Sequence, residues 1–156
     1  MTTPVTQALD ALGVPYQFFQ HPGPLHSLEQ AAEERGQQTE QIVRSILFRL
    51  TGGAFVMVLM PGPAQISWKA LRRYLGVSRV TMASQGEVLA VTGYQTGAVS
   101  PFGLPQPVRL LVDEGVCTQE EISIGAGVRE ATIIMQRQDL MQALGEVEMG
   151  VFCEGC

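Results

Sequence analysis

The chain has 156 residues, 46% of them hydrophobic and 16% charged, with a formal net charge of −5. That length suits one domain spanning residues 1–156 around a single core, and the composition excludes an intrinsically disordered polymer. No run approaches the ~20 apolar residues of a membrane-spanning helix. The opening Met-Thr-Thr-Pro-Val-Thr-Gln lacks the basic and apolar regions of a signal peptide, so a cytoplasmic protein with no membrane partner is expected.

Thr3 and Pro4 read as the cap and first residue of a helix, with Val5, Ala8, Leu9 and Leu12 on one face and Gly13 as the stop. A short strand is expected from Val14 to Gln20, ended by the turn His21-Pro22-Gly23-Pro24. Ser27 with Gln30 predicts a capping box for a helix from Leu28 to Arg35. Ile42–Leu50 and Ala54–Met60, separated by Thr51-Gly52-Gly53, predict a hairpin. Ser67 caps the next helix, with Trp68, Leu71 and Leu75 on one face and Lys69, Arg72 and Arg73 on the other. Val77–Met82 reads as a strand, and Ser84 with Glu87 as a second capping box for a helix ending before Gly93. Strands follow near Val108–Asp113, Glu121–Ala126 and Thr132–Gln136, then a helix over Gln138–Leu144. Helices and strands mix without a regular βαβ repeat, so the class is α+β with antiparallel pairs.

Charge is unevenly spread. Residues 41–85 contain six cations (Arg44, Arg49, Lys69, Arg72, Arg73, Arg79) and no Asp or Glu, so the remainder carries four cations and fifteen anions, or −11. Such asymmetry suits either a phosphate-facing surface on an acidic body or arginines scattered over unrelated faces. Cys153 and Cys156 form a Cys-x-x-Cys pair, which is at most half a zinc site; with Cys117 alone, three cysteines make no disulfide framework, and a tail of reduced thiols is expected.

Familiar catalytic sets are absent: no Gly-x-Ser-x-Gly elbow, no His-Glu-x-x-His, no Walker loop. His21 and His26 are the only histidines, and the single lysine, Lys69, falls on a polar helix face. What remains is glycine. Gly93, Gly97, Gly103, Gly125 and Gly127 stand beside apolar strand residues, where glycine permits close approach of a backbone to a ligand or merely a tight turn. Successive backbone N–H groups in such turns form a nest for an oxyanion or a phosphate.

The run Gly93-Tyr94-Gln95-Thr96-Gly97-Ala98-Val99-Ser100-Pro101-Phe102-Gly103 resembles the signature loop of the YbaK/EbsC family, which is related to the editing insertion domain of prolyl-tRNA synthetase. Similarity extends along most of the chain, from Val14-Pro15-Tyr16 and His21-Pro22 through Ser27–Ala32, Gln41–Phe48, Val108–Asp113 and Ile122–Gly127 to Arg137–Leu140. It implies a mixed, largely antiparallel, barrel-like sheet flanked by helices. It also implies hydrolysis of the ester of a mischarged tRNA, commonly tRNA-Pro carrying alanine or cysteine. No metal, cofactor or protein nucleophile is implied; a positioned water or a substrate group attacks. tRNA is the implied partner, with an aminoacyl-tRNA synthetase beside it. On this resemblance Arg44, Gly97 and Ala98 are catalytic candidates, and His21, Gly93, Tyr94, Ser100, Pro101, Phe102, Gly103, Gly125, Gly127 and Thr132 bind substrate. Tyr94 and Phe102 either stack on the terminal adenine or pack beneath the loop.

The chain departs from the best-known subgroup at four places. Arg44 replaces a lysine, which keeps the charge but excludes a neutral amine. Gly125-Ala126-Gly127 replaces Ser-Gly-Gly, Thr132 an acidic residue, and Phe19 an aromatic hydroxyl. Two functions remain open: an active deacylase with an altered pocket, or a module that binds the nucleotide or aminoacyl-tRNA without hydrolysing it.

Overall fold

The computed structural model describes all 156 residues. Helix α1 (Pro4–Leu12) starts at Thr3, whose hydroxyl accepts from Thr6 N while Thr6 caps back, and stops at Gly13. Strand β1 (Gln17–Gln20) is shorter than expected. Helix α2 (Leu28–Arg35) begins at Ser27, which accepts from Gln30 N, but the predicted box is only half formed. Gln30 Oε1 instead accepts from His26 N at 2.8 Å, one residue further out. The hairpin is β2 (Val43–Leu50) with β3 (Phe55–Pro61). Helix α3 (Trp68–Leu75), β4 (Val80–Met82) and α4 (Gln85–Thr92) follow, the last opened by the full Ser84–Glu87 box. β5 (Arg109–Asp113), β6 (Glu121–Gly125), β7 (Ala131–Gln136) and α5 (Arg137–Leu144) lie within two residues of expectation. A last strand, β8 (Glu148–Gly150), was not expected.

The strands form two sheets, one of order β1-β7-β6 and one of order β4-β2-β3-β5-β8. The implied barrel does not close: the sheets meet at one parallel bridge, Ile42 to Ser123. β5 runs parallel to both β3 and β8, so the larger sheet is mixed. Alternation along β2 explains the layering. Val43 and Leu47 face the main core with Met57, Leu59, Val112, Ile122 and Ile133, whereas Phe48 faces a second cluster with Val58, Met60, Leu71 and Phe152.

The six cations of residues 41–85 are spread over β2, α3 and the turn before β4. Arg49 pairs with Glu87 at 2.8 Å, Arg44 is half-buried, and Lys69, Arg72 and Arg73 sit on α3, which packs Leu71 into the second cluster. The tail also differs from expectation. Cys153 is buried and joined to Cys156 in a disulfide, leaving Cys117 as the free thiol. No group of His, Cys, Asp and Glu is arranged to hold a metal. No helix is long and apolar enough to cross a membrane.

Candidate functional site

Where the two sheets part, a cavity of about 510 Å³ opens between β2, β6 and the segment entering α4. Backbone direction explains what lines it. Leu50 N bonds to Ala54 O across the hairpin, while Leu47 O accepts from Ala83 N on the other side. Backbone groups alternate along a strand, so Ser45, in phase with Leu47, also points away from β3. No strand meets it there: β4 pairing stops at Phe48–Met82, and the bridge to β6 lies at Ile42–Ser123. Ser45 also places its hydroxyl at the cavity, buried and without a hydrogen-bond partner.

The opposite wall is the glycine-rich loop. Thr96, Gly97 and Val99 line the cavity, and their backbone N–H groups make no hydrogen bond within the protein. Ala98 is placed differently. Its N–H donates to Gln95 O, its carbonyl accepts from Gly127 N at 3.1 Å, and its side chain is buried outside the cavity lining. Gly125 lets the loop lie directly on β6: a Cβ there would overlap the Val99 carbonyl oxygen.

The rest of the loop lies outside the cavity lining. Tyr94 and Phe102 are buried in the main core, and Tyr94 Oη donates to Phe102 O at 2.6 Å, closing the loop on itself. Burial pushes the Tyr94 phenol up to about 12. Ser100 is buried and its hydroxyl accepts from Phe102 N. Gly93 ends α4, and Gly127 bonds to Ala98. Pro101, Phe102 and Gly103 border a separate groove against α5 and β8. Of the two alternatives for Tyr94 and Phe102, core packing is the one observed.

Arg44 borders the cavity, but its guanidinium is engaged: Nη2 donates to the Ala64 carbonyl, and Nε is buried without a partner. Burial holds its pKa below the usual arginine value. Thr132 also lines the cavity, its hydroxyl donating to Ile124 O at 2.8 Å. The strand registers put three of the departing positions in one row, since Phe19 pairs with Thr132 and Thr132 with Gly125. The substitutions are therefore neighbours across one sheet.

Arg35 is a cavity residue that sequence reasoning missed. It closes α2, where a cation normally reads as a solvated partner of the helix dipole. Here it turns inward: Nε donates to His21 Nε2 at 3.0 Å and Nη1 to Ser123 Oγ at 2.9 Å. His21 is buried and does not line the cavity; its Nδ1 bonds to Glu34 Oε1 at 2.7 Å. Because Nε2 accepts from arginine, the imidazole proton belongs on Nδ1. Hydrogen bonds from His21 and Gln30 hold the Glu34 carboxyl below its ordinary pKa. Ser45, Ser123, Thr96, Val99 and Gln85 were also missed; the one legible sign was Ser45, a polar residue in phase with Val43 and Leu47.

The site is thus a cavity between two sheets of an α+β domain, walled by a glycine-rich backbone and two arginines. Residues 22–143 match the model of the aminoacyl-tRNA editing domain, and the chain belongs to that family. It is 30% identical over 116 residues to the uncharacterized protein YwhH of Bacillus subtilis, covering 74% of this chain and 73% of that protein. To the proline–tRNA ligase of Thermosipho melanesiensis it is 29% identical over 105 residues, which is 67% of this chain but 18% of the ligase. Among solved structures, a "putative trans-editing enzyme for prolyl tRNA synthetase" superposes with a TM-score of 0.88 at 25% identity, covering 97% of this chain and 96% of the other.

Proposed function

We propose that this chain hydrolyses the ester of a mischarged tRNA in trans, with a tRNA-Pro-like molecule as the first substrate to try. The observation that carries this reading is the set of unpaired N–H groups at Thr96, Gly97 and Val99, bordering a cavity whose wall holds no Asp, Glu, His, Cys or Lys. An aminoacyl ester is already activated, so acid–base residues are not required. Backbone donors aimed at a developing oxyanion, together with precise positioning, lower the barrier. Water is then the nucleophile, and a neighbouring ribose hydroxyl of the substrate can orient it. Its oxygen adds to the ester carbonyl to give the tetrahedral oxyanion; collapse then breaks the C–O bond to ribose, the ribose oxygen takes a proton originating from the water, and the free amino acid leaves the tRNA. Gly97, rather than Ala98, is the loop donor in this scheme, because the Ala98 N–H is already used by Gln95. Arg44 steadies the segment through Ala64 and adds positive charge at the cavity edge. Relatives named as proline–tRNA ligases support tRNA-Pro as the first choice.

The test is amino-acid release from a panel of mischarged tRNAs, beginning with tRNA-Pro carrying alanine or cysteine. Release above the uncatalysed rate is expected from at least one, and Arg44→Ala should lower it roughly 10-fold or more, the cost of a charge-assisted hydrogen bond. If no aminoacyl-tRNA is hydrolysed while uncharged tRNA still binds, the chain is a binding module and the deacylase reading fails.

A further inference from the structure

Arg35 is a half-buried cation whose partners are neutral. No carboxylate lies within ion-pair distance of it, and its two hydrogen bonds run to an imidazole nitrogen and a hydroxyl. Burial pushes its pKa down to about 10, so it stays charged at neutral pH. The only nearby anion, Glu34, is held on the far side of the His21 ring. A charge withdrawn from water is costly unless a counter-charge meets it, and the cavity that Arg35 borders supplies none. Its lining contains Arg35 and Arg44 and no acidic side chain. Arg35 Nη2 makes no hydrogen bond in the protein and is not among the buried polar atoms that lack a partner, so it stays accessible to solvent. Ser123, whose oxygen accepts from Arg35, retains its own proton for another acceptor.

We propose that Arg35 binds an anionic group of the cavity's ligand through Nη2, and that Glu34 and His21 are positioning residues that aim the guanidinium. Glu34 fixes the His21 proton on Nδ1, and His21 Nε2 fixes Arg35 Nε, while Ser123 fixes Nη1. With two of its three nitrogens tied down, the guanidinium presents the third without a large ordering cost. The anion is a nucleotide phosphate or the carboxylate of a free amino acid, since the ester itself carries none. The inference rests on this cavity being the ligand site of the proposed function; it does not depend on hydrolysis.

Binding to the whole protein by calorimetry separates the possibilities, using two matched pairs of probes: adenosine 5′-monophosphate against adenosine, and N-acetylalanine against N-acetylalaninamide. The anionic member of one pair should bind about tenfold tighter or more than its neutral counterpart, and the pair showing the gap identifies the source. Arg35→Gln should erase that gap while leaving the neutral probe's affinity unchanged. Glu34→Gln, which keeps the side-chain shape, should narrow it. Should Arg35→Gln fail to fold, the wild-type protein still decides the matter: the Arg35 guanidinium NMR signals, assigned through their contact with His21, should shift on adding the preferred anion. Equal affinity within both pairs, a gap that survives Arg35→Gln in a folded variant, or unshifted Arg35 signals would each overturn the proposal. Loss of tRNA hydrolysis with this gap intact would instead count against the deacylase reading alone.

Discussion

Position 125 shows how one missing carbon shapes the site. A Cβ there would collide with the Val99 carbonyl oxygen and crowd Ala98, both backbone groups with no rotamer to escape into. Gly97 is the opposite case: its φ of +93° strains any side chain, but nothing lies within 4 Å of the added atom. Gly125→Ala should therefore cost about 3 kcal/mol of stability by overpacking and push the loop off β6, abolishing ligand binding in the cavity. Gly97→Ala should cost about 1–2 kcal/mol of backbone strain and leave the loop seated. Denaturant midpoints, read beside ligand affinity, check the contrast; equal effects on binding would mean that the close approach at Gly125 does not shape the cavity. Arg35 is the reverse lesson. In sequence it is a helix-terminal cation like any other, and only the return of β6 beneath α2 turns it into a cavity wall.

Among the buried bonds that hold the loop from Gly93 to Gly103, Tyr94 Oη to Phe102 O ties its two ends together. Tyr94→Phe leaves that carbonyl unpaired in the core and should cost about 1–3 kcal/mol at neutral pH. The phenol also predicts a pH effect. Its folded pKa, about 12, lies above the ordinary 10, so the stability it contributes is present below about pH 10 and is lost as pH rises through 12. Wild type should lose stability across that window relative to Tyr94→Phe, so the two unfolding curves converge with rising pH; parallel curves would mean the phenol is not buried as described. Elements of this kind were unequally legible. The helices were read well because their signals are local, as with Thr3, Ser67, and Ser84 with Glu87. The half-formed box at Ser27 shows the limit, since Gln30 had two backbone donors in reach and took the outer one. β8 was missed because a three-residue strand carries no periodicity and exists only by pairing with β5. The open sheet was missed for a related reason, as closure depends on register between distant strands.

Across the whole molecule, the second hydrophobic cluster ties the C-terminal tail to the site. Phe152 is buried and stacks edge-on against Tyr74, with ring centroids 5.2 Å apart. Its N–H donates to Asp113 Oδ1, and its carbonyl accepts from Ser67 N at 2.6 Å. Glu154 N then bonds to Gln65 O, and Ile66 bridges Cys153. Residues 65–67 are therefore clamped by the tail, and Ala64, next in the chain, holds the Arg44 guanidinium. Phe152→Ala should remove about 3–5 kcal/mol, a large part of the 5–15 kcal/mol that stabilises a domain. Its second effect is the informative one. With the clamp loosened, the Ala64 carbonyl loses its fixed position and Arg44 its anchor, so the proposed hydrolysis should fall at temperatures where the variant is still folded. In an Arg44→Ala background the same substitution should cost stability but little further activity, because the two changes act through one contact and so are not additive. Independent losses in the double variant would mean that the tail supports the fold without reaching the site. The mutant cycle thus distinguishes a tail that only completes the core from one that also positions Arg44.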